Sequence, residues 1–324
     1  MMHPCLPSPI VFMFAGQGSQ YFHMGQGLYE AGGAFARWMR YLDKVVLEKC
    51  GWSVLTTLYG AKRKSDPFVD TLLSHPAIFM IEVALAQELI EQGIRPDLTL
   101  GVSMGSFAAA VVAGCIDVED AAVLVVEQAN AFIRSCTPGG MIAVLTDAAV
   151  RRNDLLQRCS VVASYNFDSH FVLSARAEHL PEIAEVLRAC GATFQLLPVA
   201  FAYHSPWIAE ARNDFEAAVR QVIIKPAKIP LVCCARADAI TDVPSRLFWE
   251  AAREPIRFQD TITFLEAKGP HRYLDVGATG TLATFVKYLL PADTLSTVNS
   301  VLTPYGRDLD GLHSVMKVFG AGRL

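Results

Sequence analysis

The stretch Gly101-Val-Ser103-Met-Gly105 has residue types and a spacing that could support catalysis. An apolar run, Leu98-Thr-Leu, enters this stretch and an alanine-rich helical run leaves it. The Gly-x-Ser-x-Gly pattern therefore predicts a serine nucleophile on a sharp turn between a strand and a helix. The glycines permit the strained backbone of such a turn. The turn would aim the main-chain N–H of Met104 and the positive end of the helix at a developing oxyanion.

A serine nucleophile needs a general base, because its hydroxyl group is scarcely ionised near neutral pH. Of the eight histidines, His204 has the best context: it follows a strand-like run and precedes Ser205-Pro206, which would hold an exposed turn. A lone histidine in a turn is also common without any function. No aspartate stands out as a third member, so the sequence favours a Ser103–His204 dyad oriented by a main-chain carbonyl group.

A glycine loop, Gly16-Gln17-Gly18-Ser19-Gln20, follows the apolar run of residues 9–15, which is typical of a strand buried on both faces. A dinucleotide fingerprint would need glycine where Tyr21 stands, and a P-loop would need Gly-Lys-Ser/Thr, so the loop matches neither. Two interpretations remain open. Gln17 directs backbone or side-chain N–H groups into a site beside Ser103, or the loop is only a structural turn between strand and helix.

Composition excludes several functional classes. The chain has 324 residues, of which 52% are hydrophobic and 19% charged, and this predicts a compact protein with a large core. The formal net charge of −4 and the scattered Lys and Arg residues leave no basic field for nucleic acid. No apolar stretch approaches the length of a membrane span, and the first residues lack the pattern of a signal peptide. We expect no nucleic-acid partner, no membrane insertion and a cytoplasmic location.

The cysteines point to a reducing compartment. Eight are present, with no C-x-x-C pair and no histidines at metal-ligand spacing. This predicts reduced thiols and no metal site. Cys233-Cys234 lies in an apolar run and is interpreted as buried strand rather than as a redox pair.

The order of predicted elements indicates an α/β protein. Helical periodicity over 34–60, 74–93, 107–113 and 119–133 alternates with buried apolar runs, as around a mostly parallel sheet. After Pro138, strand-like runs at 141–145, 161–164, 171–175 and 194–197 enclose helical runs at 147–158 and 178–190, which is the ferredoxin-like β-α-β-β-α-β order. We predict a large domain from residues 1–137 and 200–324, a small inserted subdomain of residues 138–199, and an active-site cleft between them.

Five motifs in order along nearly the whole chain resemble the malonyl-CoA:acyl-carrier-protein transacylase family, which includes the acyltransferases of polyketide synthases. They are Phe14-Ala-Gly16-Gln17-Gly18-Ser19-Gln20, Gly101-Val-Ser103-Met-Gly105, Asn166, Ala202-Tyr203-His204-Ser-Pro206 and Asp275-Val-Gly277-Ala-Thr-Gly280-Thr-Leu. The resemblance implies an α/β-hydrolase-like large domain with a parallel sheet and an inserted ferredoxin-like subdomain.

The resemblance also implies a chemistry. Ser103 would take an acyl group from a thioester, His204 would act first as base and then as acid, and the backbone N–H groups of Gln17 and Met104 would form the oxyanion hole. The acyl group then usually passes to the phosphopantetheine thiol of an acyl carrier protein. No tightly bound cofactor is implied, acyl-CoA is a second source of thioester, and we expect a monomer.

Gln128 is the departure from the family that bears most on the substrate. The family's arginine, which grips the free carboxylate of malonyl or methylmalonyl groups, falls on Gln128, a neutral amide. Burying that carboxylate without its partner would cost about 3 to 5 kcal/mol. A monocarboxylic acyl group is therefore the expected substrate, unless Gln128 simply faces solvent.

Further departures surround the predicted site. Val102 stands where the family usually has histidine, and His75 stands where it often has glutamine. His75 would either line the acyl pocket or pack as a structural residue. The tetrad Phe201-Ala-Tyr203-His204 differs from both the malonyl-type His-Ala-Phe-His and the methylmalonyl-type Tyr-Ala-Ser-His, so it does not reveal the acyl unit.

Three functional hypotheses follow. With no synthase domain attached, the chain resembles a free-standing, trans-acting member, and the change from arginine to glutamine resembles the acyl hydrolases that clear stalled acyl chains from carrier proteins. The leading hypothesis is such a proofreading hydrolase. The alternatives are a transferase that moves a non-carboxylated acyl unit onto a carrier protein, and a non-catalytic module that docks carrier proteins.

Overall fold

The computed structural model describes residues 8–320. The first seven residues, which include Cys5 and lack the pattern of a signal peptide, lie outside this range. The strands are β1 Ile10–Phe14, β2 Leu98–Gly101, β3 Gly139–Leu145, β4 Val161–Phe167, β5 His170–Arg176, β6 Thr193–Leu196, β7 Leu231–Cys233, β8 Asp238–Ile240, β9 Ile256–Arg257, β10 Arg272–Asp275 and β11 Thr297–Ser300. The helices are α1 Gln26–Ala31, α2 Gly33–Cys50, α3 Val54–Leu58, α4 Thr71–Glu91, α5 Ser106–Val112, α6 Val118–Ser135, α7 Asp154–Cys159, α8 Leu180–Ala189, α9 Arg212–Val219, α10 Leu247–Arg253, α11 Phe258–Glu266, α12 Thr281–Leu289 and α13 Asp308–Gly320.

The larger sheet has the strand order β11-β10-β1-β2-β7-β8 and is parallel except for β8, which pairs antiparallel with β7. Strand β1 lies at its centre and is buried along its whole length, because helices cover both faces of such a sheet. The carboxyl ends of β1 and β2 are neighbours, with Phe14 paired to Gly101. This register brings the glycine loop and the serine turn to the same edge of the sheet.

The smaller sheet has the order β6-β3-β5-β4-β9. Its first four strands pair antiparallel in the ferredoxin-like arrangement, with α7 and α8 packed on one face around Ile142, Leu173 and Ile183. The predicted fold class, a parallel α/β domain with a ferredoxin-like insert, is confirmed. A fifth short strand, β9, comes from residues 256–257 and pairs parallel with β4. The domain boundaries proposed from the sequence stay a prediction.

Several elements differ from the sequence prediction. The helical run predicted over 34–60 is two helices, because Gly51 ends α2 in a left-handed conformation and Ser53 caps α3 by accepting from Thr56 N. The segment after His204 begins as a 3-10 helix at Pro206–Ala211 and continues as α9. The sequence patterns did not predict α1, β8, α10, β9, β11 or α13.

Helix α4 is the most apolar long helix, and most of its residues are buried in the core of the large domain. By length and composition it could cross a membrane, but 83% of its most apolar window is buried inside the protein, as in a core helix. Asp70 caps its first turn by accepting from Leu72 N, and Pro76 sits within its first two turns.

A buried carboxyl group on α4 holds the end of the central strand. Glu82 is fully buried, and its Oε1 accepts a hydrogen bond from the N–H of Ala15, while its Oε2 has no partner among the described residues. Burial raises the pKa of Glu82 well above its usual range, and the nearby Asp275 carboxylate raises it further. Ala15 therefore enters the glycine loop from a fixed position.

We predict that Glu82→Gln stabilises the protein increasingly as the pH rises from 5 to 8. A carboxyl group whose pKa is raised by folding contributes stability at low pH that is lost as the pH increases, whereas glutamine keeps the acceptor oxygen and cannot ionise. Thermal melts of both proteins across this range test the prediction. Glu88→Gln is the matched control, since Glu88 is buried on the same helix but both its oxygens accept hydrogen bonds. A wild type more stable than Glu82→Gln at pH 8 would contradict the prediction.

Candidate active site

The serine turn is built by close backbone packing at the end of β2. A β-carbon on Gly101 would lie 2.5 Å from the Cα of Ser106, and one on Gly105 would collide with the carbonyl oxygens of Phe14 and Ala15. Both positions therefore require glycine. Ser103 itself has a φ of 54°, in the left-handed region that costs a non-glycine residue about 1 to 3 kcal/mol. The fold holds this strain and so presents the Ser103 hydroxyl to the cleft.

The structure brings Ser103 and His204 together. Ser103 Oγ lies 2.8 Å from His204 Nε2, and His204 Nδ1 lies 2.8 Å from the main-chain oxygen of Glu254. Because that carbonyl group only accepts, Nδ1 carries the proton and Nε2 is left to accept from the Ser103 hydroxyl. The carbonyl group thus orients the imidazole where a triad would use a carboxylate.

The loop that carries His204 is also constrained. His204 has a φ of 57°, and its N–H donates to the carbonyl oxygen of Ala252 at 3.0 Å. Ser205 Oγ donates to the Ala202 oxygen and accepts from Trp207 N, which fixes the turn into the 3-10 helix at Pro206. Burial, with a smaller contribution from the positive charge of Arg253, lowers the pKa of His204 to about 4, although the hydrogen bond to the Glu254 carbonyl group opposes the shift. The imidazole is therefore neutral at physiological pH, as a general base must be.

The two predicted oxyanion donors lie beside the nucleophile. Met104 follows Ser103 in the turn, and Gly16, which precedes Gln17, packs so closely that a β-carbon on it would lie 2.8 Å from Ser103 Cβ. The Gln17 side chain donates from Nε2 to Ser74 Oγ at 2.9 Å. Gln17 also lines the cavity, and the role of its backbone N–H as an oxyanion donor stays a prediction.

A cavity of about 440 Å³ opens over Ser103 between the two subdomains. Gln17, Val102, Ser103, Tyr203 and His204 line it, together with residues of the small sheet and of α12. Among the described residues, no Lys, Arg, Asp or Glu lines this cavity. Its wall offers only apolar groups and neutral hydrogen-bonding groups to an acyl chain.

The other predicted substrate residues lie behind the wall of the cavity. His75, Phe201 and Gln128 are buried and do not line it. Tyr203, which does line the cavity, packs against two of these residues: its ring centroid lies 6.0 Å from His75 and 6.1 Å from Phe201. Phe132, 5.1 Å from Tyr203, completes this group of rings. The structure thus favours the packing interpretation of His75.

Gln128 is buried rather than solvent-facing, with 2% of its surface exposed, and its Nε2 has no hydrogen-bond partner among the described residues. Both ring nitrogens of His75 also lack a partner there. Burial lowers the pKa of His75 to about 3, although the nearby backbone of Val125 opposes this shift without forming a well-aligned hydrogen bond. Neither side chain supplies a positive charge to the cavity.

Sequence reasoning missed parts of the site. The main-chain carbonyl group of Glu254 could not be recognised in the sequence, because every residue type has one. Asn166 stood out only as part of a motif, yet it lines the cavity and bonds to Ser164 and His170. The alternation of polar residues along β4, at Ser164 and Asn166, is the signal that could have placed both on the face toward the cleft.

The geometry defines a class of enzymes in which a serine, deprotonated by a neutral histidine, attacks an acyl group at the edge of a parallel sheet. The chain belongs to the acyl transferase domain family, whose sequence profile matches residues 11–319. It is an enzyme of that family.

Full-length relatives support this assignment. The chain is 41% identical over 309 residues to the polyketide biosynthesis acyltransferase homolog BaeD of Bacillus velezensis, with 95% of each chain covered. It is 40% identical over 310 residues to the homolog PksD of Bacillus subtilis, again with 95% of each covered. Among solved structures, the acyltransferase domain from the second module of the salinomycin polyketide synthase matches with a TM-score of 0.82 at 28% identity. This match covers 95% of the present chain and 73% of that one.

We predict that kcat/KM for acyl-thioester turnover falls to half near pH 4 and is flat from about pH 5.5 to 8. Protonation of His204 removes the base, and burial holds its pKa at about 4. A pH profile with a thioester substrate, corrected for spontaneous hydrolysis, measures this. A half-maximum near the ordinary histidine value of about 6.5 would contradict the prediction.

We predict that Gln128→Leu leaves acyl selectivity unchanged and raises the free energy of unfolding by up to about 1 kcal/mol, because it removes a buried Nε2 group that has no partner among the described residues. Denaturant unfolding and a comparison of acyl substrates measure the two effects. Gln20→Leu is the stability control: Gln20 Nε2 donates to the oxygens of Phe68 and Pro198, so its loss should cost about 1 to 3 kcal/mol. A changed acyl preference in Gln128→Leu would show that Gln128 reaches the substrate.

Proposed function

We propose that this enzyme acts on non-carboxylated acyl groups bound as thioesters to an acyl carrier protein in polyketide biosynthesis, and that it releases them by hydrolysis. The observation that carries the proposal is the uncharged cavity over Ser103. The names of the relatives BaeD and PksD support the polyketide setting.

In the first half-reaction, Ser103 Oγ attacks the thioester carbonyl carbon while its proton passes to His204 Nε2. The backbone N–H groups of Gln17 and Met104 stabilise the negative oxygen of the tetrahedral intermediate. When the intermediate collapses, the carbon–sulfur bond breaks and His204 returns the proton to the leaving thiolate. The products are acyl-Ser103 and the free phosphopantetheine thiol of the carrier protein.

In the second half-reaction, a water molecule attacks the acyl-Ser103 carbonyl carbon while His204 accepts its proton. The bond from the carbonyl carbon to Ser103 Oγ breaks, and the proton moves from His204 to Oγ. The Glu254 carbonyl group stabilises the imidazolium form in both half-reactions, because it accepts from Nδ1 throughout. The free acid leaves and the dyad is restored.

Selectivity follows from what the cavity lacks. A malonyl group on Ser103 would bring a carboxylate into a space lined by no cationic side chain in the described part of the chain. An unpaired buried carboxylate costs about 3 to 5 kcal/mol. An acetyl or other neutral acyl group carries no such cost, so the enzyme should prefer it.

Transfer is the alternative fate of the acyl-enzyme. The relatives BaeD and PksD are named acyltransferase homologs, and this supports transfer. Both reactions share acyl-Ser103 and differ only in whether water or the thiol of a second carrier protein attacks it.

The test uses carrier protein loaded with acetyl or malonyl groups, incubated with the enzyme alone or with an empty second carrier protein. We predict free acetate without any acceptor, and a kcat/KM at least about 100-fold higher for the acetyl carrier than for the malonyl carrier. Mass spectrometry of both carriers and of the released acid gives the rates.

Ser103→Ala is the control and should form neither acid nor transferred product. If acyl groups move only to the second carrier protein, the enzyme is a transferase and not a hydrolase. Malonyl release at a rate similar to acetyl release would contradict the proposed selectivity, and inactive enzyme with both carriers would leave only a docking role.

A further inference from the structure

A second histidine lines the cavity and takes no part in the chemistry above. His170 begins β5 in the small subdomain, and its side chain lines the cavity together with Asn166 and Ser164. None of these three side chains has a recorded hydrogen bond to Ser103 or His204. The question is what a neutral imidazole at this place in the wall would bind.

A chain of hydrogen bonds sets the protonation state of the His170 ring. Ser164 Oγ donates to Asn166 Oδ1 at 2.6 Å, which turns the Asn166 amide so that its Nδ2 donates to His170 Nδ1 at 2.9 Å. Nδ1 is therefore an acceptor, and the ring proton lies on Nε2. Ser164 and Asn166 are almost completely buried, so solvent does not compete for these bonds.

Burial lowers the pKa of His170, so the ring is neutral at physiological pH and offers an uncharged donor. Aromatic rings fix its position: the centroid of Phe285 lies 4.9 Å from the His170 ring, and that of Phe167 lies 5.2 Å from it. Phe285 belongs to α12 of the large domain and also lines the cavity. The His170 ring is thus held at the interface between the two subdomains.

The same aromatic group reaches the protein surface. Phe167 stacks on Tyr288 with centroids 4.7 Å apart, and 69% of the Tyr288 surface is exposed. The Phe167 ring that packs against His170 therefore also contacts an exposed side chain, whereas Ser103 follows the carboxyl end of β2. A substrate arm that runs from the surface to Ser103 would pass along this wall.

We propose that the Nε2–H of His170 donates a hydrogen bond to an amide carbonyl group of the pantetheine arm of the thioester substrate. This inference rests on the proposed function, which supplies a pantetheine thioester. An amide carbonyl group is a neutral acceptor, and a neutral donor in an uncharged wall matches it without burying a charge. The bond would position the arm without touching the reacting carbonyl group.

The test compares two acetyl thioesters, acetyl-pantetheine and thiophenyl acetate, of which only the first contains amide groups. His170→Phe keeps a ring between Phe167 and Phe285 and removes the donor. We expect KM for acetyl-pantetheine to rise about 3- to 10-fold with kcat unchanged, and the kinetics with thiophenyl acetate to remain those of the wild type. Asn166→Ala, which frees Nδ1, should shift KM in the same direction for acetyl-pantetheine only.

His179→Phe is the matched control, because His179 lies in the small subdomain outside the cavity lining and should leave both substrates unaffected. Thermal melts of all variants identify any that fail to fold. Equal effects of His170→Phe on both thioesters, or a fall in kcat with KM unchanged, would overturn the inference. Failure of the proposed function would look different, because neither thioester would then acylate Ser103 of the wild-type enzyme.

Discussion

The hydrogen bond between Ser103 Oγ and His204 Nε2 is the contact on which the rest of the site depends. Its two residues are 101 positions apart, and each has a left-handed backbone that is unfavourable for a residue with a side chain. Parallel pairing of β1 with β2 fixes the first, and the Ala252 and Glu254 carbonyl groups fix the second. The parallel sheet therefore supports an arrangement that the local sequences would not adopt alone.

The second constraint is electrostatic. Burial keeps His204 neutral, and no Lys, Arg, Asp or Glu among the described residues lines the cavity that His204 faces. Tyr203, which lines the cavity, packs against the rings of His75 and Phe132, and Gln128 is not among the lining residues. A neutral base and a neutral cavity suit a thioester whose acyl group has no charge of its own, since every added charge would need a partner that the wall does not provide.

Local patterns were enough to predict the parts of the protein that depend on local chemistry. The glycine spacing around Ser103 predicted the turn, and the β-α-β-β-α-β order predicted the small subdomain, because strand period and turn residues act over a few positions. The strands β8, β9 and β11 are short, and their pairing is decided by neighbours far away in sequence. Gln128 was assigned to the substrate from its place in a helix, yet only the tertiary structure shows that it is buried and does not line the cavity. The Glu254 carbonyl group could not be predicted as a residue at all, since any residue type supplies it.

The most direct measurement of the central claim is a competition for the nucleophile. The enzyme is mixed with equal amounts of acetyl- and malonyl-pantetheine, quenched in acid at short times, and its intact mass and Ser103 peptide are recorded. We predict that the acetyl adduct on Ser103 appears first and dominates, and that no adduct forms in Ser103→Ala. A malonyl adduct that forms as fast as the acetyl adduct, or acylation at another residue, would contradict it.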